Sequence, residues 1–320
     1  MPITVVGSIA FDAVKTPFGE RERMLGGAAV HFALAASFFD EVRVVGPVGE
    51  DFGEAEVDVL RRRGVDVSDI ERVADGETFF WRGEYGWDLN SRETLETRLG
   101  VFEGFQPKLS QGSRSSDVLF LANIQPQLQL DVRSQLPHAR FVALDSMNLW
   151  IEIAREQLVS AIASVDCVIL NDAELRQLTG KPNLLSAARE VLTWGPGEGE
   201  GLRGPSVVVA KQGEYGAALV TREGFFALPA YPLESVIDPT GAGDTFAGGL
   251  VGYIAAHPGE ELSEELLRRA MAHATVLASF NVEEFGTERV QRLRAPEIHE
   301  RIAELHRMTQ FSGAALQLRG

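Results

Sequence analysis

Six short runs of aliphatic, mostly β-branched residues, each ending in polar or glycine residues, most limit the folds open to this chain: ITVVGS, VRVVGPVG, DVLFLANI, RFVALDSMN, VDCVILND and PSVVVAKQG. None alternates cleanly between apolar and polar, so each suits a strand covered on both faces, as in parallel sheets. Helical patterns lie between them. GGAAVHFALAASFF is rich in alanine, while DFGEAEVDVLRRRG and DAELRQLTG close on Gly64 and Gly180, as helices commonly do. This alternation predicts an α/β fold, a doubly wound, mainly parallel sheet flanked by helices. In such sheets ligands gather at the carboxyl ends of strands, where the pattern puts Asp12, Asn123, Asp145 and Asn171.

The rhythm breaks between residues 76 and 105, where GETFFWRGEYGWDLNSRETLETRLGVF is rich in aromatics and threonine with glycine punctuation. That composition predicts antiparallel hairpin strands, a small β appendage on the α/β body. Its aromatics Phe79, Trp81, Tyr85 and Trp87 suit sheet packing as well as they suit covering a sugar or a nucleobase. An alternating strand can send Trp81 or Tyr85 inward over an acceptor. The patch GPGEGEGLRG holds Gly199, Gly201 and Gly204 in dinucleotide-fingerprint spacing, but it precedes a strand where that fingerprint follows one, so it reads as a mobile loop.

With 320 residues the chain is long enough for one large α/β domain or two small ones. A net charge of -16 argues against nucleic acid or an anionic membrane as partner. No apolar run is long enough to span a bilayer, and MPITVVGSIAFD lacks the features of a signal peptide, so a cytoplasmic location is expected. The single cysteine, Cys167, sits in a strand-like run and reads as a buried, inert thiol. Small-molecule chemistry is the class left standing.

Asp238–Gly249, DPTGAGDTFAGG, gives that chemistry a form. Gly241, Ala242 and Gly243 are small enough for backbone N–H groups to approach a bound group, and the helix that follows turns its positive end to the same place. This is an anion site. A carboxylate there, Asp244, would repel a phosphate unless its task is to take the proton of an alcohol attacking that phosphate. The motif therefore points to phosphoryl transfer, with Asp244 as general base.

DPTGAGDTFAGG resembles the second signature of the ribokinase-like (PfkB) carbohydrate kinase family, and other stretches match the family's order along the whole chain. The resemblance implies a single ribokinase-like domain over residues 1–320. Its β-sheet lid would be built mainly from about 76–105 and part of 11–24. In GSIAFD it implies that Asp12 binds substrate hydroxyls, and in GGAAVHFALAAS that Gly26 and Gly27 lie against the substrate. In NDAE it implies that Asn171 and Glu174 organise Mg2+ and the nucleotide phosphates, largely through water; in KQGEYGAAL, Gly213 and Gly216 take the nucleotide-binding positions. Asp238 and Thr240 match positions that place oxygen ligands for K+ beside the anion loop.

Read without the family, Asn171 and Glu174 are one helical turn apart and can face one ion, yet Asn171 and Asp172 serve equally as helix caps. Asp12 can begin a turn, and Gly26–Gly27 can be a tight turn into a helix. The chain departs from the family at His31, where an asparagine usually helps bind substrate hydroxyls; His31 can donate such a bond or simply pack. No Walker A lysine is present, since Lys181 precedes a proline. Mg2+, the loop amides and Lys211 are left to neutralise the phosphates. The expected activity is ATP-dependent phosphorylation of a sugar or polyol hydroxyl. A nucleoside kinase of the same family and a nucleotide-binding regulator without turnover stand as alternatives, and a homodimer through the lid is a further expectation.

Overall fold

The computed structural model describes residues 1–195 and 204–310. Gly199 and Gly201, and with them the loop reading of GPGEGEGLRG, lie outside the described residues. The strands are β1 (Ile3–Val6), β2 (Ala10–Thr16), β3 (Gly19–Gly26), β4 (Val42–Val48), β5 (Asp66–Arg72), β6 (Phe79–Tyr85) and β7 (Arg92–Arg98). They continue with β8 (Val118–Leu121), β9 (Phe141–Asp145), β10 (Cys167–Asn171), β11 (Val207–Lys211), β12 (Ala217–Thr221) and β13 (Phe225–Leu228).

Nine strands make one sheet in the order β13-β12-β11-β10-β9-β8-β1-β4-β5. It is parallel from β5 to β11, and β12 and β13 add an antiparallel edge that the apolar runs did not reveal. The runs are continuous because both faces are covered. Ile3, Val5, Phe120 and Ile169 pack toward helices Ala28–Ala36, Ala242–Ala255 and Glu264–Asn281, while Val6, Leu121, Leu144 and Leu170 pack toward the helices at residues 126–135, 155–162 and 172–179. Cys167 is fully buried in the first of these layers, and burial pushes its thiol pKa far up. The winding reverses at β1, with β4 on one side and β8 on the other, and a crevice opens at such a reversal.

A second sheet of four strands, β3-β2-β6-β7, stands apart from the first. β2–β3 and β6–β7 are antiparallel hairpin pairs, but β2 and β6 run parallel, so the appendage is not antiparallel throughout. The reason is that the chain leaves β3 for the body and returns only at β6. Among the described residues no helix is long and apolar enough to cross a membrane.

The helix Ala242–Ala255 is seated by glycines. A Cβ on Gly248 would stand 2.4 Å from the Phe32 carbonyl oxygen, one on Gly252 2.6 Å from the Phe39 ring, and one on Gly249 2.8 Å from the Ala274 Cα. The FAGG that ends the motif, with Gly252 a turn later, is therefore a packing seam. It fixes the start of the helix against both neighbours.

Candidate active site

The strand ends converge on the N-terminus of helix Ala242–Ala255. Gly241 is its N-cap with a φ of 75°, the left-handed region that favours glycine. The first-turn N–H groups have no carbonyl a turn back to bind, which leaves Gly243 and Asp244 able to donate; the Ala242 N–H instead donates to the Pro239 carbonyl at 3.2 Å. Asp244 stands in this first turn, half-buried. Burial, and then the Asp145 carboxylate, push its pKa up to about 7 against the pull of Lys211 and Arg92.

Lys211 ends β11 with Nζ 2.8 Å from Asp145 Oδ2, and a Cβ on Gly243 would meet that Nζ at 3.0 Å. The ammonium therefore lies against the anion loop. Burial works against its charge, but Asp145, Glu174 and Asp244 outweigh it and its pKa is raised. Burial also raises Asp145. The 2.8 Å contact with a charged ammonium nevertheless fixes the pair as ionised.

Asp12 is buried on β2, with its pKa pushed up to about 7 by burial first and then by Asp238, while the Gly27 N–H lowers it. A Cβ on Gly26 would fall 1.9 Å from Asp12 Oδ2, and Gly27 has a φ of 96° with the Ser8 carbonyl oxygen 2.4 Å from its Cβ position. The two glycines thus make room for Asp12 and turn the lid strand β3 into the body helix.

His31 is buried beneath the loop: a Cβ on Gly241 would sit 2.2 Å from its ring. Its Nδ1 pairs with Asn281 Oδ1 at 3.1 Å, and Thr245 Oγ1 donates to the same oxygen at 3.0 Å. Asn281 Nδ2 donates to the Thr240 carbonyl at 2.8 Å. Since Oδ1 only accepts, Nδ1 carries the proton; burial pushes the ring's pKa down to about 4, so the imidazole is neutral near pH 7. Its Nε2 is buried without a hydrogen-bond partner among the described residues. His31 therefore packs under the anion loop, and Asn281, which the sequence reading did not single out, ties Thr240, Thr245 and His31 together. Nothing in its local pattern marks it, because its partners lie far away in the chain.

Asn171 and Glu174 form a reciprocal cap, Asn171 N–H donating to Glu174 Oε2 at 2.8 Å and Glu174 N–H to Asn171 Oδ1 at 2.7 Å. The capping reading of Asn171 is what the geometry displays. Glu174 still faces the site, its pKa pushed up to about 7 by burial and Asp145 against Lys211. Gly213 and Gly216 bracket a short turn after β11, with φ of 57° and 101°. Lys181 is remote from all this, paired with Glu190 at 3.0 Å.

The small sheet reaches the site through Tyr85, whose hydroxyl accepts a hydrogen bond from Thr240 Oγ1 at 3.2 Å. Trp81 shares the face of Asp12, its direct partner in the β2–β6 register, but its ring lies along its own sheet over Gly83. Asp238 is fully buried and accepts N–H bonds from Thr240 and Gly286 at 2.9 Å each. Burial raises its pKa, and no cationic side chain pairs with it among the described residues.

Comparison with known proteins adds a family to this geometry. The profile of the pfkB family carbohydrate kinases matches residues 3–292. A cytidine kinase of Thermococcus kodakarensis is 31% identical over 277 residues, covering 84% of this chain and 95% of that protein. Among solved structures, a nucleoside kinase of Methanocaldococcus jannaschii superposes with a TM-score of 0.74 at 19% identity, over 95% of this chain and 98% of that one. An Arabidopsis thaliana ribokinase complexed with ribose and ATP gives 0.74 at 20% identity, over 94% and 98%.

Proposed function

The chain belongs to the pfkB family of carbohydrate kinases, and on that premise we propose that it transfers the terminal phosphoryl group of ATP to a hydroxyl of a sugar or polyol, with Asp244 as general base. The observation that carries this reading is one carboxylate with a pKa near 7 in the first turn of a helix whose N–H groups and adjacent Lys211 suit an anion. Asp244 takes the hydroxyl proton as the oxygen attacks phosphorus. The N–H groups of Gly243 and Asp244 donate to the phosphoryl oxygens, and Lys211 offsets their charge. Asp12 orients the acceptor hydroxyls. Asn171 and Glu174 present only oxygen ligands to a cation, which suits Mg2+ held through water, and Mg2+ when bound neutralises the phosphate oxygens.

Asp244→Asn keeps the shape of the side chain and loses the base. We expect kcat to fall about 10²- to 10⁴-fold, with nucleotide and acceptor affinity retained. Near-normal turnover would assign the proton to another group.

A nucleoside acceptor is the second reading, favoured by the 31% identity to a cytidine kinase over most of both chains. Screening ADP release from ATP against sugars, polyols and nucleosides decides between them. The regulator alternative gains nothing from a site that keeps Asp244. Buried Asp238, without a cationic partner of its own, supports a K+ site that includes Thr240. Activity should then drop when K+ is replaced at constant ionic strength by a bulky organic cation, and unchanged activity removes that ion. A homodimer through the lid belongs to the same proposal, and sedimentation tests it; a cytoplasmic location, where ATP is at hand, belongs to it as well.

A further inference from the structure

The small sheet carries one cation whose position differs from all its neighbours. Arg21, Arg23, Arg82 and Arg98 on the same sheet each have a carboxylate oxygen within 3.9 Å. Arg92 has no such ion pair among the described residues. It opens β7 directly opposite Tyr85, the residue bonded to Thr240 of the anion loop. Two residues earlier, Asn90 Nδ2 reaches Glu214 Oε1 at 2.9 Å, beside Gly213 of the nucleotide segment. The β6–β7 hairpin therefore spans the site from one phosphate-handling segment to the other, and Arg92 lies within the span. Its guanidinium is solvent-accessible and stands 5.1 Å from the Trp81 ring centroid, on the face that also bears Asp12. From there its field holds down Asp12, Glu174 and Asp244 alike.

We propose that Arg92 is a catalytic residue supplied by the lid, which leaves the Trp81 ring and forks onto the oxygens of the transferring phosphoryl group. A guanidinium offers planar, paired donors that match phosphate oxygens, and it stays charged. Lys211 is tethered to Asp145 on the sheet side, so the two cations bracket the phosphoryl group from opposite elements. As the bond from phosphorus to the ADP oxygen breaks and the bond to the acceptor oxygen forms, Asp244 receives the hydroxyl proton and Arg92 only donates hydrogen bonds. The lid then contributes charge as well as cover. This rests on the kinase reading above.

The test titrates the wild type, Arg92→Ala and Arg92→Lys with MgADP alone and with MgADP plus aluminium fluoride, a mimic of the transferring group, alongside steady-state kinetics. Arg92→Ala should bind MgADP as the wild type does, lose at least about tenfold of the extra affinity for the fluoride complex, and fall about 10²-fold or more in kcat. Arg92→Lys should recover only part of both, because a point charge lacks the fork. Equal affinity of wild type and Arg92→Ala for the mimic, or an unchanged kcat, overturns the proposal. A wild type that gains no affinity from the fluoride and turns over no ATP overturns the kinase reading itself, whichever variant is compared.

Discussion

A carboxylate that must take up a proton near neutrality works best when its own pKa lies there, and Asp244 stands at about 7. Only its ionised form accepts a proton, so in the proposed role turnover should be lost as pH falls through that value. The groups facing it set where the loss occurs: Asp145 raises its pKa, and Lys211 and Arg92 lower it. Lys211→Met removes one restraining charge, so Asp244 keeps its proton to higher pH. The acid limb of the kcat profile should move upward and the KM for MgATP should rise; a limb that stays in place would exclude Lys211 as the group that tunes the base. The sequence offered Asp244 and Lys211 because a motif and a strand end marked them. His31 was legible only as a departure. Its alliance with Asn281 joins residues 250 positions apart, and no local pattern encodes a contact of that separation.

At the scale of elements, the continuous apolar runs identified the parallel strands because burial on both faces leaves no polar alternation to confuse them. β13 and β5 escaped, since these edge strands carry mixed sequences, and β12 escaped because only a short glycine turn parts its AALVT run from β11; β2 and β3 were marked by the family resemblance, which put part of 11–24 in the lid, and not by a pattern of their own. The glycines of helix Ala242–Ala255 were legible as part of a signature but not as a seam, which needs the partner helices Ala28–Ala36 and Glu264–Asn281 in place. Gly248→Val would drive a side chain into the Phe32 carbonyl and the Ala35 methyl group. Overpacking of this kind costs about 1–3 kcal/mol. Urea unfolding should register that loss, and kcat should fall with it because the shift is passed to Gly241–Asp244. A variant as stable as the parent would show that the helices can part freely.

For the whole molecule, the small sheet touches the body's chemistry at Thr240 through Tyr85 and at Glu214 through Asn90. Strand β7 is otherwise exposed along its whole length, and Trp87 in the hairpin turn is 87% exposed. Few buried contacts hold such an element, so local opening is expected to be cheap. Backbone amides of residues 79–98 should exchange faster with deuterium than those of β8–β10 in the free protein and slow markedly once nucleotide and acceptor are both bound. Exchange unchanged by ligands would count against a closing lid.

β2 leaves the body beside Asp12 and β3 re-enters it at Gly26–Gly27, and Gly26 packs against the Asp12 carboxylate where the acceptor pocket is proposed. On the proposed reading the acceptor would occupy the fulcrum of a lever whose far end is the Asn90 turn. A seven-residue strand such as β6 gives that lever an arm of about 20 Å at roughly 3.3 Å per residue. Displacements of a fraction of an ångström at the Asp12 carboxylate would become movements of several ångströms at the tip, so the acceptor would command the largest motion.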